Sequence, residues 1–201
     1  MEKKEVIKNY NLSKKQVELI ENYLLKLELT NQKFNLVGRS TFTNPWDRHI
    51  NDSLQLSNFI KDKSLSIIDM GTGAGIPGLI LSIYGYKNIV LTDSKKKKIN
   101  FINEYTNEHK LVVKTICTRV ENIKNQKFDF IVCRAFASLT KILNYSLIFS
   151  RKNTSLLFLK GRNVKNEIHD AKKNYKFKYQ LYDSKSTGGG FVLRVNELKK
   201  L

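Results

Sequence analysis

The densest chemistry in this chain lies between Ile67 and Gly78. There Asp69 is followed by Gly71, Gly73, Gly75 and Gly78, and a second acid, Asp93, closes the next apolar run. Glycines at alternate positions let a backbone turn sharply and approach a bound molecule closely. Three ligand classes use such a loop. A triphosphate loop needs Lys-Ser/Thr after its last glycine, and Leu79-Ile80 stand there instead. Gly73-Ala74-Gly75-Ile76-Pro77-Gly78 fits the dinucleotide spacing Gly-x-Gly-x-x-Gly, with Asp93 where a ribose-binding acid belongs. Two features pull away from that pattern: Asp69 precedes the glycines, and the glycines alternate from Gly71 onward. On these residues alone a dinucleotide and another adenosine cofactor both remain open, and capping of the following helix is the lesser alternative for Asp93.

A loop of this kind needs a strand before it and a helix after it. From Leu65 onward short apolar runs (LSIIDM, NIVLTD, LVVKTIC, FDFIVCRA, SLLFLK) alternate with amphipathic stretches such as Ser94 to His109 and Leu139 to Ser150. That alternation predicts parallel strands joined by helical crossovers. Pro77 suits the start of the helix after the loop. Lys178–Asp183 and Gly190–Val195 flank a Ser/Thr/Gly turn and read as an antiparallel hairpin closing the sheet. Upstream, Val17, Ile20, Tyr23, Leu24 and Leu27 mark one helical face, and Ser13 with Gln16 forms a capping-box signature. Ile50, Leu54 and Leu56, after Pro45, predict a second helix. Residues 1–62 therefore read as a helical extension and 63–201 as one compact cofactor-binding domain.

Composition adds a partner class. Of 36 basic residues 29 are lysine, and against 18 acids they leave a net charge of +18, which favours a polyanion such as a nucleic acid, although a lysine-rich coding bias gives the same charge. No apolar run reaches the roughly 18–20 residues of a membrane span. The charged start, Met1 to Glu5, leads into no signal-type apolar core, so a cytoplasmic protein is expected. Cys117 and Cys133 sit in strand-like runs without metal-ligand spacing and are expected to be buried; no metal site is expected.

Asp-x-Gly-x-Gly-x-Gly resembles the first motif of S-adenosylmethionine-dependent methyltransferases. The ordered set sharpens this: Asp-x-Gly-Thr-Gly-Ala-Gly-Ile-Pro-Gly, Leu-Thr-Asp-Ser-x-x-Lys-Lys, Arg119-Val120-Glu121 and Arg134-Ala135-Phe136-Ala137-Ser138, with Phe34-Asn35-Leu36 and Arg48-His49-Ile50-Asn51-Asp52-Ser53 upstream. From about Phe34 to Gly161 the chain resembles the RsmG (GidB) family, which methylates N7 of a guanine in bacterial 16S ribosomal RNA. The resemblance implies a Rossmann-like class I methyltransferase fold, with a mostly parallel seven-stranded sheet, an antiparallel C-terminal hairpin and an N-terminal helical extension. It implies S-adenosylmethionine as cofactor, held by Asp69, Gly71, Gly73, Gly75, Ile76, Asp93, Val120, Glu121 and Arg134. Asp69 is expected to orient the ammonium group, Asp93 the ribose, and Val120 with Glu121 the adenine. Arg134 is the orienting residue of a reaction that needs no obligatory general base. Arg48, His49, Arg119 and Lys160 are the expected RNA contacts, and the implied partner is 16S rRNA within the small subunit or its precursor. An NAD-dependent oxidoreductase and a catalytically inactive ribosome-binding protein are the alternatives. The turn Ser186-Thr187-Gly188-Gly189-Gly190 matches no motif of the family.

Overall fold

The computed structural model describes residues 1–201. Helices α1 (Lys3–Asn9) and α2 (Lys14–Lys33) open the chain. α2 begins at the expected capping box: the Gln16 amide donates to Ser13 Oγ at 3.3 Å, and the Ser13 amide donates to Gln16 Oε1 at 2.9 Å. Its apolar stripe, Ile20, Tyr23, Leu24 and Leu27, is buried.

The segment after Pro45 is helical but not uniform. It runs as a π-helical turn at Trp46–Asn51, a short α3 (Asp52–Leu54) and a 3-10 turn at Gln55–Asn58. Asp47, His49, Ile50 and Asn51 are all buried, too many successive inward positions for a one-faced helix of regular pitch. Asp47 and Asn51 are fully engaged, whereas His49 is met only at Nδ1 and its buried Nε2 has no partner. Asn51 Nδ2 donates to Asp47 Oδ1 at 3.0 Å and to the Lys185 carbonyl at 2.9 Å. Apolar spacing alone missed this irregularity because it is created by buried polar groups.

Five strands run parallel: β1 (Ile67–Met70), β2 (Ile89–Asp93), β3 (Lys114–Cys117), β4 (Phe130–Arg134) and β5 (Ser155–Lys160). β6 (Tyr175–Asp183) and β7 (Phe191–Lys200) form the C-terminal hairpin, and β7 lies antiparallel beside β5. The seven-stranded order is β3-β2-β1-β4-β5-β7-β6. Helices α4 (Gly78–Tyr84) and α5 (Lys96–Glu108) pack with α1 and α2 on one face, through a cluster of 33 buried apolar residues. α6 (Leu139–Phe149) and α7 (Val164–Ala171) cover the other face through a cluster of 20. The mostly parallel sheet, the hairpin and the flanking helices match the expected Rossmann-like class. Tyr23 and Leu27 of α2 share a core with Leu79 and Leu91, so the helical extension and the sheet are packed as one body.

Cys133 is buried, as expected, and burial raises its thiol pKa well above the ordinary value. Cys117 corrects the other expectation: it is exposed, because it ends the edge strand β3, which no further strand covers. No helix is long and apolar enough to cross a membrane.

Candidate cofactor site and its substrate side

β1 and β4 are neighbours, while the chain leaves β1 toward β2 on one side and β4 toward β5 on the other. Open parallel sheets bind ligands outside the strand ends at such a switch point. The glycine loop leaves the end of β1 there, and Arg134 is the last residue of β4.

Gly71 divides two clefts. Its φ is +69°, and a Cβ there would fall 2.1 Å from Phe136 Cδ2, so the Phe136 ring lies directly on the bare backbone. On one side is a cleft of about 230 Å³ lined by Asp93, Val120, Glu121, Phe136 and Tyr145. Tyr145 donates its hydroxyl to Glu121 Oε1 at 3.1 Å, which holds that carboxylate at the rim. On the other side a larger cleft of about 480 Å³ is lined by Gly73, Ile76, Arg134, Ala135, Arg48 and Asp52, among others. Ala135, just after Arg134, has a φ of +48°, a conformation that strains an L-residue and collects at functional sites.

Asp69 lies beneath the loop rather than in either cleft. It is fully buried, and its Oδ2 accepts from Thr72 Oγ1 at 2.6 Å and from the Gly78 amide at 2.8 Å. Oδ1 is buried with no partner, and burial pushes the carboxyl up to about 6 despite both hydrogen bonds. Asp93 does two things at once. Its Oδ1 accepts from the Lys95 amide at 2.9 Å, one residue before α5 and without capping it, and its Oδ2 accepts from the Gly73 amide at 3.1 Å. Gly75 does not line either cleft; a Cβ there would meet Leu79 at 2.8 Å, so its bareness serves helix packing.

Arg134 is held on three sides. Nη1 donates to the Arg48 carbonyl at 2.8 Å and meets Asp52 Oδ2 at 3.3 Å, while Nη2 lies 3.2 Å from His49 Nδ1. Burial raises the Asp52 carboxyl, and the guanidinium works against that rise. His49 corrects the expectation of an RNA-facing residue. It is fully buried, because the π-helical turn points it inward beneath Arg134 and beside Phe42. Burial first, and then the charges of Arg134 and Arg48, push its pKa down to about 3, so the ring is neutral.

The other expected RNA contacts differ in access. Arg119 is exposed at the smaller cleft and Arg48 half-buried at the larger one. Lys160 lines the larger cleft, but its ammonium is already paired with Glu167 at 2.7 Å and reaches the Ala137 carbonyl at 3.3 Å. Four contributors escaped the sequence reading. Phe136 and Asp52 stood inside quoted motifs without a role. Tyr23 looked like one more core aromatic, yet its hydroxyl donates to the Ala74 carbonyl of the glycine loop at 2.9 Å. The turn around Ser186 and Gly189 also lines the larger cleft, and only its run of glycines hinted at that.

The GidB family model, rRNA small subunit methyltransferase G, matches residues 16–189. The chain is 37% identical over 187 residues to the ribosomal RNA small subunit methyltransferase G of Orientia tsutsugamushi (strain Ikeda), covering 93% of each chain. It is 35% identical to the protein of the same name from Rickettsia prowazekii (strain Madrid E), covering 92% of this chain and 96% of that one. Among solved structures the fold resembles ribosomal protein L11 methylase from Lactobacillus delbrueckii subsp. bulgaricus, with a TM-score of 0.58 at 16% identity over 71% of this chain and 75% of that one. It also resembles M. jannaschii TYW2 in complex with AdoMet, with a TM-score of 0.57 at 15% identity over 76% of each chain.

Proposed function

Because the chain belongs to the GidB family of ribosomal RNA small subunit methyltransferases, we propose that it methylates N7 of a guanine in 16S ribosomal RNA. S-adenosylmethionine is the methyl donor, and family membership decides between it and the dinucleotide that the glycine spacing left open. The observation that carries the site assignment is the pair of clefts meeting at Gly71. One has an acid, an apolar wall and aromatic rings suited to an adenosine. The other has Arg134 suited to the carboxylate of an amino acid, and at about 480 Å³ it is the larger of the two.

The residues present fit that cofactor. Asp93 faces the smaller cleft to accept from ribose hydroxyls, Val120 supplies an apolar wall, and Glu121 lies at the rim. Gly71, Gly73 and Ile76 bring bare or apolar backbone close to the ligand. Asp69 acts from below: it braces the loop through Thr72 and Gly78, and its unpartnered Oδ1 places negative charge under the loop. The bound cofactor supplies an activated methyl on a sulfonium. Guanine N7 presents a free lone pair in the major-groove edge and loses no proton before it attacks. The protein's task is alignment and electrostatic organisation. Arg134, fixed by three partners, orients the donor without a general base; Asp52, the carboxylate beside it, is engaged by Arg134 and Gln55.

In this reading Arg48 and Arg119 meet RNA, and the substrate is the rRNA of the small subunit or its precursor in the cytoplasm. The test is a map of 7-methylguanosine in rRNA with and without the gene, followed by restoration with purified protein and S-adenosylmethionine. One guanine should lose its methyl in the deletion and regain it in vitro. An unchanged map overturns the reading.

A further inference from the structure

The Ser186–Gly190 turn is held by two consecutive residues of the π-helical segment. Asp47, fully buried, accepts from the Thr187 amide at 2.7 Å and from Ser186 Oγ at 3.1 Å. Arg48, next in sequence, lays its guanidinium on Gly188: a Cβ at that position would fall 1.4 Å from Nη1 and 2.3 Å from Cζ. On the following residue, Gly189, a Cβ would sit 3.3 Å from Nε and 3.5 Å from Nη2 of Arg162. Two neighbouring glycines thus carry two guanidinium groups, one half-buried at the cleft and one exposed.

Neither guanidinium donates a hydrogen bond or meets a carboxylate. Acids on the same segments are engaged elsewhere: Asp47 by the turn, by Asn51 and by the N-terminal ammonium at 3.2 Å, Asp52 by Arg134, and Glu167 by Lys160. Arginine presents its donors as a planar fork matched to paired oxygens of an oxyanion. Ser186, Gly189 and Arg48 also line the larger cleft, so this turn forms part of the wall of the space assigned to the base.

We propose that the Gly188–Gly189 turn, with Arg48 and Arg162 against it, is a clamp for the RNA phosphodiester backbone next to the base being methylated. This rests on the rRNA reading above and adds to it the site where the strand is gripped. The bare glycines do two jobs: they leave room for the guanidinium groups, and they let a phosphate approach the turn. Asp47 keeps the turn at a set position relative to Arg48 and therefore to Arg134.

Salt dependence of RNA binding is the test, because each phosphate neutralised releases condensed counterions. Binding of in-vitro-transcribed 16S rRNA is measured against KCl concentration for the parent, Arg48→Ala, Arg162→Ala and Arg162→Lys. Each alanine variant should bind about 3- to 10-fold more weakly at moderate salt and lower the slope of log affinity against log salt by about one. Arg162→Lys should keep the slope. Stabilisation by S-adenosylhomocysteine reports, for every variant, that the cofactor side is folded. Gly188→Ala is the second probe: it retains both charges but displaces Arg48, and should weaken rRNA binding. Parent slope and affinity in both alanine variants, with that stabilisation retained, overturn the clamp. If those slopes fall while the deletion strain keeps its full 7-methylguanosine map, the clamp stands and the assigned methylation fails.

Discussion

Arg134 Nη2 lies 3.2 Å from Nδ1 of His49, a ring that is fully buried and neutral. A guanidinium has only donors, so the contact requires the lone pair on Nδ1 and the proton on Nε2. Asparagine places an acceptor near the Nδ1 position, whereas glutamine places its amide near Nε2. His49→Asn should therefore keep methyl transfer within several-fold of the parent. His49→Gln, though it fills the space better, should lose about 10- to 100-fold in kcat/KM, the value of a charge-assisted hydrogen bond. Equal activity in the two variants would mean that His49 only fills space.

The same residue sets a pH dependence of stability. Its folded pKa of about 3 lies below the unfolded value of about 6.5. Between those values the unfolded chain binds the extra proton, so the contribution is whole above about 6.5 and is lost as pH falls toward 3. Urea unfolding of the parent and His49→Asn from pH 7 to pH 4 should show the parent losing stability faster.

Asp69 has the opposite sign. Burial raises its carboxyl to about 6 in the folded protein, above an unfolded value of about 3.9. Its contribution is whole below the unfolded value and is lost as pH rises through 6. Asp69→Asn should remove that decline while weakening S-adenosylhomocysteine binding. The thermal midpoint difference between parent and variant is expected to change most between pH 4 and 6; a constant difference counts against an ionised, buried Asp69.

Tyr23 ties the N-terminal helix to the glycine loop through the Ala74 carbonyl. Tyr23→Phe keeps the ring but leaves that carbonyl short of a donor, at a cost of about 1 kcal/mol. Calorimetry should show weaker S-adenosylhomocysteine binding along with the stability loss. Unchanged affinity would confine Tyr23 to the core.

Gly71→Ala forces a methyl into the Phe136 ring at a positive φ. Overpacking and backbone strain together should cost about 2–4 kcal/mol. Cofactor affinity should fall by an order of magnitude or more, read by thermal shift with added S-adenosylhomocysteine. Adding Phe136→Ala should recover the overpacking part of that cost, while the strain at a φ of +69° remains.

Much of this architecture was legible because it is periodic or local. Strand and helix runs alternate with their own periods, the capping box of α2 is four residues long, and the loop after β1 shows itself in its glycines. Asp93 and Arg134 end their strands and Val120 and Glu121 come just after β3, at the edge where a parallel sheet gathers ligand contacts. The helix expected after Pro45 shows where that approach stops. Its pitch is set by Asp47, His49 and Asn51 meeting partners more than a hundred residues away or on another strand, such as Lys185, Thr187 and Arg134.

Residue types and short spacings were enough for the fold class, the cofactor loop and, through an ordered set of motifs, the family. Folding buries His49 against Arg134, sets Asp69 beneath the loop and pairs Lys160 with Glu167. The fold also set the unmatched glycine turn against Arg48 and Arg162, with Ser186 and Gly189 lining the larger cleft. Those outcomes depend on burial and on contacts across the chain, where a charge is either taken up by a neighbour or left for a ligand, and no spacing of letters records which.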